Sequence, residues 1–393
     1  MRIYTVQLQI TLLFFHFCIQ EMKPSKIHKI DIIPTQIKLH EPFVISKEAL
    51  THAHNTVVKI YNSNGTYGVG ECCPYRSIHG ETQTGTVAFA KDLAAALIGA
   101  DPREIHKHIA LMDRMIVGNA SVKCAFDMAL YDLVAKMDNL PLYAFLQGDR
   151  DKKIYTDNTV SLLAKDKMVE KAIKFKEMGF PVLKVKLGDR GFSNDVARMV
   201  AIREAVGDDL PLRVDANQGW NYLDAKRALE GMKDLNIEHC EEPVLAGNTV
   251  DQARLTAGSP IPIMADESVF NHKDAYKVLS QHAAHLINIK LGKSGGICNS
   301  MKVAAIAQAA GVYCQTGSFS ESRLGITALV HFDMAWEHII YHDLDSPLML
   351  SEDPVIGGMT YHKDWEVTVD DTPGHGADFD PDFLKRFEIL EVK

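Results

Sequence analysis

Four ionisable residues in the second half of the chain recur with one phase. Asp215 closes LRVD, Glu241 closes IEHCE, Asp266 follows IPIMA and Lys290 follows LINI. Their spacing of roughly 25 residues matches one strand–helix unit of a (β/α) barrel, in which about 250 residues make eight units. Each group would stand at the C-terminal end of a successive strand, the face on which such barrels carry their chemistry. The series runs both ways: VLKVKLG puts Lys184 and Lys186 on the preceding strand, and the pattern continues through VYCQTGS to IIYHDLD. Residues i and i+2 of a strand share a face, so both lysines point one way.

Three carboxylates without a His or Cys among them suit a hard divalent cation, Mg²⁺ in preference to zinc, and one ion per subunit is expected. Lysines on flanking strands would face each other across that cation. Such a set could remove a proton next to a carboxylate, because an amine is too weak a base for that proton unless the resulting enediolate is held by a metal. Taken singly each signal is ambiguous. A lone Asp after a strand is more often a helix N-cap, Lys-x-Lys is often edge protection, Glu241 beside Glu242 reads as a solvated turn, and Lys290 as a loop lysine. The shared register decides for a functional site, because lysines inside otherwise apolar strands would be costly as bare charges.

The elements that must position these groups follow from pattern. The chain has 393 residues, 46% apolar and 24% charged, with a net charge of −9, which suits a globular enzyme and argues against a nucleic-acid partner. Seven cysteines without a CxxC pairing argue against a zinc ribbon or a disulfide framework, and a cytoplasmic location is expected. Residues 1–22 contain an apolar run, but Gln7, Gln9, Thr11 and His16 interrupt it and no small-residue cleavage site follows. They read as an N-terminal extension in preference to a signal sequence. No later run reaches about 18 uninterrupted apolar residues, so no membrane partner is expected.

Residues 23–150 read as an α+β capping domain. Its strands KIDIIPTQIKL, NTVVKIYN and TYGVGEC include a hairpin at Asn64-Gly65, and helices are expected over Thr82–Ile98, Pro102–Val117 with Asp101 as N-cap, and Ser121–Met137. In the last helix Val122, Phe126, Leu130, Leu133 and Val134 would form one face. Residues 151–346 read as the barrel, opened by IYTDNTVSL, and residues 347–393 as a tail returning to the capping domain. The fold class is therefore α/β, a (β/α)7β TIM-type barrel capped by the N-terminal segment and the C-terminal tail.

KVKLG, VDANQGW, CEEPV, MADESV, INIKLGKSGGI and GSFSESRLGITA, in this order, resemble the muconate-lactonizing subgroup of the enolase superfamily from about Ile27 to the tail. That superfamily is itself the standing example of lysine bases working beside Mg²⁺. The resemblance implies Asp215, Glu241 and Asp266 as metal ligands, Lys186 and Lys290 as the paired acid/base residues, and Lys184 as the group steadying a substrate carboxylate. Thr159 and Ser318 are expected as further substrate contacts. Glu242 is a departure, since many relatives carry Gln there.

After the last expected strand, Asp343 and Asp345 lie two apart on one face, which suits an α-ammonium group. This pair resembles the signature of dipeptide epimerases, the plainer alternative being a solvated loop pair. The expectation is Mg²⁺-dependent epimerisation at the α-carbon of a dipeptide's C-terminal residue by two-base 1,1-proton transfer, with L-Ala-D/L-Glu or a related dipeptide as substrate and a homo-oligomer as the working form. The loop Ser46–Asn55 is expected to cap the substrate side chain, with Lys47 able to pair an acidic side chain and Glu48 a basic one. His52 and His54 read as an exposed loop pair. Two alternatives compete: an o-succinylbenzoate synthase or muconate cycloisomerase, whose substrates lack an ammonium, and a non-catalytic metal-binding barrel, which would be expected to have lost a lysine or a ligand.

Overall fold

Ile27–Val44 (β1), Ala49–Asn62 (β2) and Tyr67–Cys72 (β3) form an antiparallel sheet in the computed structural model. The structure describes residues 25–189 and 191–393, so the expectation for residues 1–22 lies outside the described residues. From Thr35 to Leu39 β1 alternates strictly, with Thr35, Ile37 and Leu39 buried and Gln36 and Lys38 exposed, as a sheet with one face on a core requires. β2 begins earlier than expected. Ala49 pairs with Val44 and Leu50 with Phe43, so the loop expected over 46–55 is reduced to residues 45–48, closed by Ile45 N–H donating to the Glu48 carbonyl (3.0 Å). The ladder persists because Ala53, Asn55 and Val57 keep the inward period. His52 and His54 therefore sit on a strand, their rings 6.0 Å apart.

The helix Ala120–Met137 lies directly on β3. A Cβ on Gly68 would come within 2.0 Å of the Ala129 carbonyl, and one on Gly70 within 2.1 Å of the Ala125 carbonyl. Every residue from Ser121 to Ala135 is buried, where one apolar face was expected, because barrel-domain residues Leu291–Ser294 and Ile297–Ala309 cover the side away from the sheet. The preceding helix runs Ile105–Met115 with Glu104, not Asp101, at its cap. Asp101 is spent one turn earlier, where its carboxylate accepts from Arg103 N–H (2.9 Å) and its carbonyl from Glu104 N–H (3.2 Å).

Eight parallel strands follow in sequential order: Asn158–Val160 (β4), Leu183–Lys186 (β5), Leu212–Asp215 (β6), Ile237–Glu241 (β7), Ile263–Ala265 (β8), Leu286–Ile289 (β9), Cys314–Thr316 (β10) and Ile339–His342 (β11). Helices intervene between them, and Asp157 N–H reaches the His342 carbonyl at 3.4 Å, bringing the first edge of the curled sheet to the last. The tail forms two small ladders, Val355–Gly357 (β12) with Ala377–Phe379 (β15) and Thr360–Tyr361 (β13) with Val367–Thr368 (β14). It ends in Leu390–Val392 (β16), which pairs with β1 through Ile30↔Val392 and Ile32↔Leu390. Glu71 locks cap to barrel: from β3 it accepts from Ser322 Oγ (2.7 Å) and Gly325 N–H (3.1 Å) at the start of the helix Arg323–Met334. Among the described residues no helix is long and apolar enough to cross a membrane.

Candidate active site

The register expected from spacing is present in the ladders: Lys186 pairs with Asp215, and Asp215 with Glu241. Lys186 donates to Asp215 Oδ2 at 2.6 Å. The Lys184 ammonium lies 2.6 Å from Glu241 Oε2, 2.8 Å from Asp343 Oδ2 and 3.3 Å from Asp215 Oδ2. Across the sheet, Lys290 donates to Asp266 Oδ2 at 2.8 Å. Lys293, which carried no assignment from sequence, donates to Asp266 Oδ1 (2.6 Å) and to the Asn288 carbonyl (2.7 Å). Asn288 donates in turn to Glu241 Oε1 at 2.6 Å. All these charges are buried, and an unpaired one there would cost several kcal/mol. Gly317 is required where β10 passes this network, since a Cβ would stand 2.9 Å from Lys290 Cε and from the Asn288 amide.

Glu242 has a structural duty. Its carboxylate accepts from Asp266 N–H (2.7 Å), Ser268 Oγ (2.5 Å) and Gln252 Nε2 (2.7 Å), tying the end of β7 to the end of β8. Burial, opposed by these bonds, pushes it up to about 7.

A second cluster stands beyond β11. Among the described residues, the one trio of carboxylates whose oxygens all lie within 4.8 Å of one another is Asp157, Asp343 and Asp345, not the three expected metal ligands, each of which is turned to a lysine. Arg213 donates to Asp157 at 3.0 Å, Lys184 to Asp343, and Thr159 N–H to Asp345 Oδ2 at 2.7 Å. Burial foremost, then Asp343, pushes Asp157 up against the pull of Arg213. The close contact to a buried guanidinium, which cannot give up its charge, is the reason the pair is ionic. Arg213 is shared with Glu238 (2.7 Å) and Lys184 with Glu241 and Asp215, so the two cations do not belong to this corner alone, and its surplus of carboxylates suits an ammonium group. Burial, reinforced by Asp343, pushes Asp345 up to about 7. Asp343 is held down at about 2, because Lys184 foremost, with Lys186 and Lys290, outweighs its burial.

A narrow cleft opens over both clusters. Of the residues singled out from sequence, Thr159, Lys186, Asp266, Lys290, Ser318, Asp343 and Asp345 line it. Lys184, Asp215 and Glu241 lie beneath. Lys47 is exposed and Glu48 half-buried, and neither lines the cleft, although Ser46 Oγ donates to the Asn217 carbonyl (2.9 Å) and draws their loop over the barrel mouth. The rest of the wall is mainly apolar, with Phe43, Ile45, Tyr75 and Ile78 from the capping domain and Phe319 and Met349, and carries two polar residues, Asn217 and Glu267. Sequence reasoning missed the apolar ones because an apolar residue in a cap looks like any core residue. Asp157 and Arg213 were missed although both interrupt apolar strand patterns, and that signal could have found them.

The donor set of Asp215, Glu241 and Asp266 is all oxygen, wholly buried and faced by ammonium groups acting as cations, and so fits a hard divalent ion such as Mg²⁺. The Lys290 amine is lowered by burial but raised more by Asp266 and Glu241, leaving it shifted upward. Carboxylates engaged by a metal would relax that hold.

Comparison with known proteins accords with this geometry. Residues 27–147 match the family described as Mandelate racemase / muconate lactonizing enzyme, N-terminal domain, and residues 167–383 match Enolase C-terminal domain-like. The chain is 42% identical over 364 residues to the D-Ala-D/L-Ala epimerase of Cytophaga hutchinsonii, covering 93% of this chain and 99% of that protein. A solved dipeptide epimerase from Cytophaga hutchinsonii, complexed with Mg and the dipeptide D-Ala-L-Val, superposes with a TM-score of 0.92 at 42% identity, over 94% of this chain and 100% of that one. A substrate-liganded L-Ala-D/L-Glu epimerase from Bacillus subtilis superposes with a TM-score of 0.87 at 38% identity, over 90% and 98% of the two chains.

Proposed function

The chain belongs to the mandelate racemase / muconate lactonizing enzyme family, and from that premise we propose that it is a Mg²⁺-dependent dipeptide epimerase. The observation that carries the reading is the acidic corner of Asp343 and Asp345 in the same cleft as two lysines. Relatives named as dipeptide epimerases support it.

Asp215, Glu241 and Asp266 would hold the metal. When bound there, Mg²⁺ supplies the positive charge that makes an α-proton beside a carboxylate removable at modest pH. Lys184, already shared among three carboxylates, steadies the carboxylate end of the substrate. Lys186 on β5 and Lys290 after β9 stand four strands apart in the eight-stranded sheet, so they address opposite faces of one α-carbon. Lys186 takes the proton of the (R) centre while the Lys290 ammonium delivers one to the opposite face to give the (S) centre, and the roles exchange in the reverse direction. Phe319 lies under the Lys290 ammonium at 4.8 Å from its ring centroid, fixing the amine without neutralising it. Thr159, Asp343 and Asp345 receive the N-terminal end, and Ser318 the substrate on the β10 side.

L-Ala-D/L-Glu and related dipeptides fall within this class. The cleft wall favours an uncharged C-terminal side chain over glutamate, because the only cations lining it among the described residues are Lys186 and Lys290. Six described cysteines, all buried and free, support action in a reducing compartment such as the cytoplasm. Exposed Leu223, Leu245 and Val250 on consecutive βα units support a homo-oligomer.

The test that separates this reading from cycloisomerase or synthase chemistry compares free with N-acetylated dipeptides. Losing one partner of a buried charged contact costs about 2–5 kcal/mol, so acetylation, and separately Asp343→Asn, should each lower kcat/KM by roughly thirty-fold to several thousand-fold. Equal turnover of free and acetylated dipeptides would move the lyase reading ahead.

A further inference from the structure

Beside the catalytic cleft lies a wider groove open to solvent. Three residues, Phe43, Thr159 and Met349, line both spaces, so the groove begins where the cleft ends. Its lining carries three aromatic rings, Phe175, Phe180 and Trp365, with the polar His40, Glu41 and Lys174 at other points of the groove. Trp365 stacks on Phe180 with ring centroids 3.7 Å apart and planes at 16°, and Phe180 meets Phe175 edge to face at 5.9 Å. The Trp365 indole is fixed by donating to the Met178 carbonyl at 2.9 Å, and its backbone adopts a φ of 65°, a conformation costly for a bulky residue. Nothing in the proton-transfer chemistry uses these rings.

The junction coincides with the acidic corner, since Thr159, which lines both spaces, holds Asp345 through its N–H. In a dipeptide the first α-carbon is bonded directly to the ammonium nitrogen, so the first side chain departs from the place where that ammonium is held. With the carboxylate end at Lys184 and the ammonium at the acidic pair, the side chain and the hydrogen of that carbon exchange places between L and D forms. Only one configuration then directs the side chain outward. We infer that the groove seats the side chain of the substrate's N-terminal residue, so that the enzyme accepts dipeptides whose first residue is large and apolar in one configuration. The inference rests on the dipeptide reading above.

The experiment measures kcat/KM by α-deuteron incorporation in D₂O for Xaa-Ala dipeptides, with Xaa as Ala, Leu and Phe in both configurations. In one configuration Leu and Phe should stay within about threefold of Ala or exceed it, and in the other they should fall by roughly tenfold or more. Losses of tenfold or more in both configurations would overturn the inference. Trp365→Ala and Phe175→Ala should each lower the ratio of Phe-Ala to Ala-Ala turnover by roughly tenfold in the accepted configuration. Either soluble variant suffices if the other does not fold, and an unchanged ratio overturns the inference. If no dipeptide exchanges, Ala-Ala included, the epimerase reading falls and the groove assignment with it, an outcome distinct from loss of the large substrates alone.

Discussion

The Asp345 carboxyl gives the site a pH dependence of definite sign. An acid whose ionisation is raised to about 7 by burial and by Asp343 loses its charge as pH falls through that value, and with it the charge that receives the ammonium. The substrate's own α-amino group deprotonates near 8, so productive binding is confined between the two. Lowering the pH from 7.5 to 6 should raise KM by roughly tenfold, following the ionised fraction of Asp345. Asp343→Asn removes the like charge and should carry the acid limb to lower pH. A KM flat from pH 7.5 to 6, or an acid limb unmoved by Asp343→Asn, would refute this account of the corner. Asp343 and Asp345 were legible because they fall in register at a strand end. Asp157 interrupts its strand pattern, but its pairing with Arg213 was not legible, because that partner is supplied by a strand two positions away.

At the scale of elements, the catalytic strands were readable because a parallel barrel repeats one unit, and a charge at the end of an apolar run keeps its phase from unit to unit. The capping domain has no such repeat. The helix Ala120–Met137 shows a plausible apolar face, yet it is covered on all sides, and its second cover comes from residues more than 150 positions later. The loop expected over Ser46–Asn55 became mostly strand because the inward period of β2 continues through Ala53, which polar composition concealed. Asp101 was readable as a cap but not as the cap of an earlier turn. Gly68 and Gly70 were quoted only as part of a strand, although they let that helix lie on β3. Gly70→Ala forces a Cβ against the Ala125 carbonyl and should cost about 1–3 kcal/mol, seen as a melting temperature several degrees lower. A melting temperature within a degree of the parent would mean that helix and sheet part easily.

At the scale of the molecule, function is divided between two layers. The barrel supplies carboxylates, lysines and the ammonium corner, and the cap supplies the apolar wall, held down by Glu71 and closed by β16 of the tail on β1. This division explains why the reaction was legible and the preferred side chain was not: chemistry needs particular residue types in register, whereas a wall of Phe43, Ile45, Tyr75 and Ile78 uses the same residues as any core. The most direct test of the central claim, two bases on opposite faces of one α-carbon, follows α-deuteron incorporation and inversion together in D₂O. The Mg²⁺-supplied enzyme is given each epimer of an Ala-Xaa dipeptide in turn. The parent should exchange and invert both epimers. Lys290→Ala should go on exchanging the α-proton of the epimer with an (R) centre without inverting it, and Lys186→Ala should do the same for the (S) epimer. Inversion by either variant at the parent rate, or exchange of both epimers by both variants, would contradict the account.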